Sequence, residues 1–268
     1  MTRISVLFER LKREGRPGLI AYLTAGDPQP ARTPELVAAL VRGGADLIEL
    51  GAPFSDPIAD GPVIQRASER ALRAGTCLRT VLEIARAIRG SSDVPLLLFT
   101  YLNPVVRYGV DKLAQDAVRA GIDGCLFTDL SVEEAGPYVA AMRAAQLDTV
   151  FLAAPTSTPQ RRKLVASHSS GFIYLVSRTG VTGEQDSLSG AVEPLVRAMR
   201  EITALPLAVG FGISKPEHVA ATGALADGVV VGSAFVRLVE EYGADPSLEG
   251  RLEAFARQLR GALPRRQP

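Results

Sequence analysis

Short apolar runs alternate along this chain with longer amphipathic segments, and this alternation constrains the fold more than any other feature. Each run is rich in leucine, β-branched or aromatic side chains and is followed by a turn that contains Gly, Pro or Asp. A run without polar alternation is typical of a strand that is buried on both faces, as in parallel sheets. The predicted strands are Leu19–Leu23, Leu47–Leu50, Leu96–Tyr101, Cys125–Phe127, Thr149–Ala153, Phe172–Val176, Leu207–Val209 and Gly228–Val231.

Between the predicted strands, apolar residues recur at helical spacing. In the segment 34–42, Leu36, Leu40 and Val41 fall on one face, and Pro34 suits an early helix position. The predicted helical segments are 34–42, 62–73, 77–89, 111–120, 132–145, 159–168, 190–202, 216–222, 234–241 and 247–262, with a further helix at 2–13 before the first strand.

Eight strands that alternate with helices over about 250 residues are typical of an α/β fold of the (β/α)8 class, the TIM barrel. The prediction includes an extra N-terminal helix and an additional helix after strand two. An open doubly wound sheet is the alternative, but the first strand ends in Thr24-Ala25-Gly26-Asp27-Pro28 and has no GxGxxG motif. Because no linker or shift in composition divides the chain, we expect one domain over residues 1–268.

The composition excludes several functional classes. With 30 basic and 29 acidic residues, the net charge of +1 is too small for the overall field to hold nucleic acid or an anionic membrane. No apolar run approaches the roughly 20 residues that span a bilayer, and the charged N-terminal stretch is unlike a signal peptide, so we expect a cytoplasmic protein. Cys77 and Cys125 lack metal-ligand spacing, so no metal is expected, and His168 and His218 are expected at the surface.

Two carboxyl groups stand out near the C-terminal end of predicted strand two, where barrels of this class place their chemistry. Alternation places Glu49 on the same side of its strand as Leu47. Burial there would raise its pKa toward neutrality and suit general acid–base catalysis, unless the carboxylate bonds to backbone or faces solvent. Asp60, in the loop 52–62, is the second candidate, with a helix N-cap role as its alternative because a helix can start directly after it.

Glycine-rich segments follow the last three predicted strands, at 179–183, 209–214 and 231–234. The loops after strands seven and eight are the recurring phosphate site of such barrels, because Gly lets the backbone approach and a short helix offers its N–H groups to the anion. Ser233 would open such a helix and supply a hydroxyl. Packing is the alternative for the glycines of any one loop, but three loops in this strand order predict a phosphorylated substrate.

Taken together, these residues resemble the alpha subunit family of tryptophan synthase over residues 18–240. The loop motif from Glu49 to Pro62 is highly specific to that family. The other matching motifs are AYLTAGDP at 21–28, TYLNP at 100–104, TDL at 128–130, SRTGVTG at 177–183 and GFGIS at 210–214.

The resemblance implies a carbon–carbon lyase of tryptophan biosynthesis that cleaves indole-3-glycerol phosphate to indole and glyceraldehyde 3-phosphate. The bond between indole C3 and the glycerol carbon breaks only after C3 has been protonated. One group must therefore deliver that proton and remove the side-chain hydroxyl proton, and a second, anionic group must stabilise the ring N–H. The resemblance gives the first role to Glu49, the second to Asp60 and an auxiliary role to Tyr174, for which a core aromatic with a bonded hydroxyl is the alternative.

The same resemblance implies which residues hold the rest of the substrate. The phosphate would be bound by Gly183, Gly212, Gly232 and Ser233. The indole pocket would be formed by Tyr22, Ile64, Phe99, Leu126, Leu152 and Phe211, with Tyr22 at a position where an apolar aromatic would serve. The loop 178–190, which includes Arg178, Thr179, Gly180 and Thr182, would be a lid that excludes water when substrate binds. Its Glu184-Gln185-Asp186 segment is more acidic than expected.

The family also implies a partner, the pyridoxal-phosphate-dependent beta subunit, in an α2β2 assembly that receives the indole directly. We expect the loops 53–60, 102–108 and 128–136 to contact it. No cofactor is implied for this chain itself, since pyridoxal phosphate is expected only in the beta subunit.

Three alternative functions stay open at this point. One is another phosphate-binding barrel enzyme, such as a sugar-phosphate epimerase, an isomerase or a Schiff-base aldolase, which is disfavoured because only Lys215 of the four lysines comes near a predicted strand end. A second is a barrel kept as a scaffold after loss of activity, against which the intact Glu49 and Asp60 argue. The third is a lyase that produces indole without a partner.

Overall fold

The described part of the chain, residues 2–176, 190, 192–210 and 212–265 of a computed structural model, contains a nine-stranded parallel sheet. The strands are β1 (Gly18–Thr24), β2 (Leu47–Gly51), β3 (Leu96–Thr100), β4 (Gly124–Phe127), β5 (Asp148–Thr149), β6 (Leu152–Ala153), β7 (Ile173–Val176), β8 (Leu207–Gly210) and β9 (Gly228–Val231).

Twelve α-helices and one 3-10 turn (Pro30–Arg32) connect and flank these strands within the described ranges. The helices are α1 (Arg3–Arg13), α2 (Thr33–Arg42), α3 (Pro62–Arg73), α4 (Leu78–Arg89), α5 (Leu102–Tyr108), α6 (Val110–Ala120), α7 (Gly136–Ala144), α8 (Pro159–His168), α9 (Val192–Arg200), α10 (Pro216–Leu225), α11 (Ser233–Tyr242) and α12 (Leu248–Ala262). Among the described residues, none of these helices combines the length and the apolar character that crossing a membrane requires.

The nine strands occupy eight positions around a closed barrel. The sheet order is β5-β4-β3-β2-β1-β9-β8-β7-β6, and only Val150 and Phe151 separate its two end strands along the chain. The Val150 N–H donates to the Cys125 carbonyl at 3.0 Å, and the Tyr174 N–H donates to the Phe151 carbonyl at 3.1 Å. Strands β5 and β6 are therefore two halves of one barrel strand, which closes the ring between β4 and β7.

Side chains of the strands alternate between an inner and an outer apolar layer. Leu47 and Leu97 face the barrel interior, whereas Ile48 packs in the outer layer against the helices. Helix α1 is capped by the Thr2 side chain, which accepts a hydrogen bond from the Ser5 N–H. Its buried face joins the inner layer and closes the N-terminal end of the barrel through Ile4, Leu7, Phe8 and Leu11.

Three aspartates fix the strands at this N-terminal end. Asp46, Asp123 and Asp227 each precede a strand and accept a hydrogen bond of 2.8–2.9 Å from a backbone N–H of the neighbouring strand. Each of the three also contacts at least one arginine, in the same order Arg16, Arg89 and Arg200. Charge-assisted hydrogen bonds are stronger than neutral ones, so these aspartates stabilise the N-terminal end of the barrel. In barrels of this class the chemistry takes place at the opposite, C-terminal end.

The predicted barrel, with its N-terminal helix α1 and the additional helix α4 after β2, is confirmed, and three details differ. Helix α5 lies where a loop was expected, because Pro104 falls in its first turn, where proline is tolerated. The predicted strand 149–153 is split into β5 and β6. His218 is 6% exposed, so its expected surface position is wrong. One domain over residues 1–268 stays a prediction.

Candidate active site

Strand β2 places Glu49 inside the barrel. In the parallel pairing it lies beside Tyr22 of β1 and Leu97 of β3, both in the inner layer. Glu49 is 1% exposed, and its Oε1 atom has no hydrogen-bond partner within the described part of the chain. Burial raises the pKa of Glu49 to about 8, so the carboxyl keeps its proton at neutral pH. The alternative of a solvent-facing carboxylate is wrong.

The loop after β2 carries Asp60 to the same end of the barrel. Asp60 is 4% exposed, and its Oδ2 accepts a hydrogen bond of 3.0 Å from the Tyr101 hydroxyl. That hydroxyl in turn accepts a bond of 3.1 Å from the Ala59 N–H. Burial raises the pKa of Asp60 to about 6, and the bond from Tyr101 opposes this rise. The N-cap of α3 is Gly61, so the N-cap alternative for Asp60 is wrong.

The two carboxyls therefore carry different charges at neutral pH. Glu49 is neutral because burial raises its pKa and its Oε1 atom has no hydrogen-bond partner among the described residues, whereas Asp60 is ionised and accepts a hydrogen bond from the Tyr101 phenol. A neutral acid near a fixed anion is the arrangement that proton delivery and cation stabilisation require.

Two tyrosines extend over glycines of the next strand. A Cβ built on Gly210 would lie 2.1 Å from the Tyr174 hydroxyl oxygen, and one built on Gly51 would lie 2.1 Å from that of Tyr22. Only glycine therefore leaves room for each phenol. Burial and the neighbouring carboxyls raise the pKa of both phenols well above the ordinary value, so both hydroxyls keep their protons.

Five predicted residues of the indole pocket lie together in or against the inner layer. They are Tyr22, Ile64, Phe99, Leu126 and Leu152. The ring of Phe99 meets that of Tyr22 nearly edge-on, with centroids 5.4 Å apart, and Phe99 pairs with Gly51 in the sheet. These apolar side chains therefore lie together where the indole pocket is predicted. The sixth residue, Phe211, lies outside the described residues.

The predicted phosphate residues follow strands at the same end of the barrel. Ser233 begins α11 with Gly232 as its N-cap, and Gly212 follows β8 with a φ of +80° that favours glycine. The first turn of a helix has N–H groups without intrahelical partners, which suits an anion. Gly183 and the lid residues lie outside the described residues: Arg178, Thr179, Gly180 and Thr182.

Three residues at this end of the barrel were not among the predicted site residues: Tyr101, Gly51 and Gly210. Tyr101 directly follows β3, and this position at a strand end was an available signal. The role of the two glycines is visible only once the strands are paired, because each makes room for a tyrosine of the neighbouring strand.

The fold and the site define a class of protein: a (β/α)8 barrel with two buried carboxyls suited to acid–base chemistry and a helix N-terminus suited to an anionic group. The family model of the tryptophan synthase alpha chain matches residues 8–263. The chain belongs to the tryptophan synthase alpha chain family.

Relatives and solved structures agree with this family. The chain is 70% identical over 260 residues to a tryptophan synthase alpha chain of Solibacter usitatus, with 97% of each chain covered. It is 48% identical over 263 residues to that of Geotalea uraniireducens, with 98% of each covered. A solved tryptophan synthase structure from Mycobacterium tuberculosis is 37% identical, with a TM-score of 0.91 over 100% of this chain and 99% of that one. The alpha subunit of Legionella pneumophila is 38% identical, with a TM-score of 0.88 over 98% of each chain.

These matches confirm the predicted family and barrel fold. They also confirm the predicted activity, a carbon–carbon lyase that cleaves indole-3-glycerol phosphate in tryptophan biosynthesis.

Proposed function

We propose that Glu49 and Asp60 divide the chemistry of indole-3-glycerol phosphate cleavage between them. The observation that carries this proposal is the difference between the two buried carboxyls, with the pKa of Glu49 raised to about 8 and that of Asp60 to about 6. Glu49 acts first as an acid and then as a base, and Asp60 is the anion that stabilises positive charge on the indole nitrogen.

In the first step, Glu49 transfers its proton to C3 of the indole ring. The ring then carries a positive charge that it shares with N1, whose N–H donates to the Asp60 carboxylate. A buried anion stabilises this charge more strongly than water would, because the site screens charges less. Tyr101 holds the carboxylate through its bond to Oδ2.

In the second step, the ionised Glu49 carboxylate accepts the proton of the hydroxyl on the carbon next to the ring. The electrons of that O–H bond form the C=O of glyceraldehyde 3-phosphate, and the electrons of the broken C–C bond return to the ring and neutralise it. Glu49 ends neutral again, so protons and charges balance over the cycle. We assign the Tyr174 hydroxyl an auxiliary donor role beside Glu49, the carboxyl whose charge contributes to the raised pKa of this phenol.

We assign the phosphate end of the substrate to Gly212, Gly232 and Ser233, with Gly183 as the fourth residue expected from the family. Backbone N–H groups at the start of α11 would hold the dianion without a lysine or arginine. This agrees with a chain whose net charge is only +1. The indole ring would then occupy the apolar pocket between this end and Asp60.

Alpha chains of tryptophan synthase pair with a beta subunit, and we assign the partner surface to the loop 53–60, to α5 and to the loop 128–136. Two large apolar side chains are exposed there, Ile58 at 76% and Val106 at 59%. Pyridoxal phosphate belongs to the beta subunit. The α2β2 assembly, the lack of a cofactor in this chain and a cytoplasmic location stay predictions.

The proposed partner surface touches the catalytic groups. The ring of Phe54 lies 5.2 Å from that of Tyr101, whose hydroxyl bonds to Asp60. A partner that shifts the loop 53–60 would therefore change the position of Asp60.

A steady-state assay with indole-3-glycerol phosphate, run with and without a beta subunit, tests the proposed function. We expect equal amounts of indole and glyceraldehyde 3-phosphate, and faster turnover when the beta subunit is present. An intact substrate under both conditions would favour another barrel enzyme or a scaffold. Full activity that the beta subunit leaves unchanged would favour a lyase that works alone.

A bell-shaped pH dependence of kcat/KM is expected, with limbs near pH 6 and pH 8. Activity rises as Asp60 ionises at about 6 and falls as Glu49 loses its proton at about 8, because the reactive form has an ionised Asp60 and a neutral Glu49. The substrate phosphate also titrates near pH 6, so binding of glycerol 3-phosphate over the same range serves as the control. Undiminished activity well above pH 8 would contradict the role of a neutral Glu49.

Replacing Tyr101 by phenylalanine is expected to lower kcat/KM at neutral pH by about tenfold, the scale of one hydrogen bond to a charged group. The acid limb of the pH profile should also move upward, because the Tyr101 hydroxyl lowers the pKa of Asp60. Tyr138→Phe is the matched control. Tyr138 lies on α7 and packs against Phe127 of β4, away from both carboxyls. An unmoved limb in Tyr101→Phe would show that the bond does not tune Asp60.

A further inference from the structure

A partly buried ion cluster lies next to the site, outside the groups used by the mechanism. Asp27 follows β1, and its side chain is 2% exposed. Arg70 of α3 binds it with two bonds of 2.8 Å, from Nε to Oδ1 and from Nη2 to Oδ2. The Nη1 atom of Arg70 also donates to Glu240 of α11 at 3.0 Å. One arginine therefore joins the loop after β1 to two helices.

The two helices in this cluster begin at opposite ends of the proposed substrate site. Helix α3 starts two residues after Asp60, at Pro62, and carries Ile64 of the proposed indole pocket in its first turn. Helix α11 starts at Ser233, at the proposed phosphate end. The helices pack against each other and both contact β1. A displacement of one helix relative to the other would change the distance between the indole end and the phosphate end.

The loop that carries Asp27 is itself rigidly held. Gly26 has a φ of +87°, and its N–H donates to the Thr33 side chain at 2.9 Å. A Cβ at Gly26 would lie 1.9 Å from the Thr76 hydroxyl oxygen, so the loop packs tightly there. On its other side, Arg32 donates to the carbonyl of Gly243, just after α11, at 2.8 Å. The loop therefore holds Asp27 in place, and the bonds of Arg70 fix the positions of α3 and α11 relative to it.

We infer that Asp27, Arg70 and Glu240 form a positioning cluster that sets the separation between the indole end and the phosphate end of the substrate site. The inference rests on the proposed function, since it takes the two ends from there. A ligand that reaches both ends gains affinity over its two halves only when the ends are held at the matching distance. The cluster supplies that rigidity, and none of its three residues is among those assigned to either half of the ligand.

The test compares three ligands by isothermal titration calorimetry: indole, glycerol 3-phosphate, and indole-3-propanol phosphate, in which a saturated chain joins the two halves. Glu240→Met removes the acceptor and so cuts the link to α11, but it keeps the buried pair of Asp27 and Arg70. A double variant, Asp27→Asn with Arg70→Met, removes both charges of that pair and so leaves no buried charge unpaired. Arg66→Met is the control, because Arg66 binds Glu240 but not Asp27.

In both cluster variants, we expect the affinity for the linked ligand to fall about tenfold or more, while the affinities for the separate halves change less than about twofold. In the control, all three affinities should stay close to those of the wild type. An unchanged affinity for the linked ligand would overturn the inference. An equal loss for all three ligands, together with a lower Tm, would reduce the cluster to a structural role.

The outcome is separable from that of the proposed function. The three affinities are measured without turnover, so a wild-type chain that fails to cleave the substrate contradicts the proposed function and leaves the binding comparison readable. If the wild-type chain binds the linked ligand no more tightly than its halves, the separation between the two ends of the site does not contribute to affinity. This result also overturns the cluster's role.

Discussion

Replacing Glu49 by glutamine is expected to lower kcat for indole-3-glycerol phosphate cleavage by about 10³–10⁴-fold, the upper part of the range for one acid–base group. The glutamine amide keeps the size of the side chain but can neither give a proton to C3 nor take one from the hydroxyl. Because Glu49 performs both transfers in the proposed mechanism, the variant loses both of them. Single-turnover and steady-state assays of purified Glu49→Gln measure the loss.

Substrate binding is the control for this variant. Glu49 is neutral in the free enzyme, so a neutral amide should leave the affinity for indole-3-propanol phosphate within about threefold, and the loss should fall on kcat rather than on KM. The Tm should not fall, because the variant removes a buried ionisable group and adds no volume. Near-normal turnover would overturn the assignment of Glu49, and a loss carried entirely by KM would reassign it to binding.

Replacing Asp60 by asparagine is expected to lower kcat/KM by about 10²–10³-fold, the scale for losing one group that stabilises a developing charge. The amide can still accept a hydrogen bond from the indole N–H, but it carries no negative charge to stabilise the protonated ring. The acid limb near pH 6 should also flatten to the residual titration of the substrate phosphate. The measurement is kcat/KM across the pH range.

The control for this variant is Asp93→Asn. Asp93 precedes β3 at the opposite end of the barrel, and its side chain is 94% exposed, so the same chemical change should leave activity unaltered. An Asp60→Asn chain that keeps the acid limb and most of its activity would show that another group stabilises the cation.

The inward orientation of Glu49 could be predicted from the sequence, because alternation along one strand is a local property. Leu47 and Glu49 share the inner face, and Ile48 takes the outer one, as expected. The split between β5 and β6 could not be predicted, since the segment 149–153 is as continuously apolar as the other strands and only hydrogen bonding to β4 and β7 divides it.

Side-chain contacts between neighbouring strands could not be predicted from the sequence either. Gly51 and Gly210 are strand-end glycines like several others until the pairing places Tyr22 and Tyr174 over them. The bond from Tyr101 to Asp60 likewise joins the end of one strand to the loop after another, and no spacing rule relates the two positions.

The burial of the Glu49 carboxyl has a consequence for folding. An unfolded chain ionises this glutamate near its ordinary pKa, whereas the native barrel must keep it neutral up to about pH 8. The native state therefore loses stability relative to the unfolded state as the pH rises from the unfolded pKa toward 8, by on the order of 3 kcal/mol at neutral pH. The barrel gives up this stability to hold a transferable proton in an apolar interior, and the strands fixed by Asp46, Asp123 and Asp227 at the other end help it to tolerate that loss.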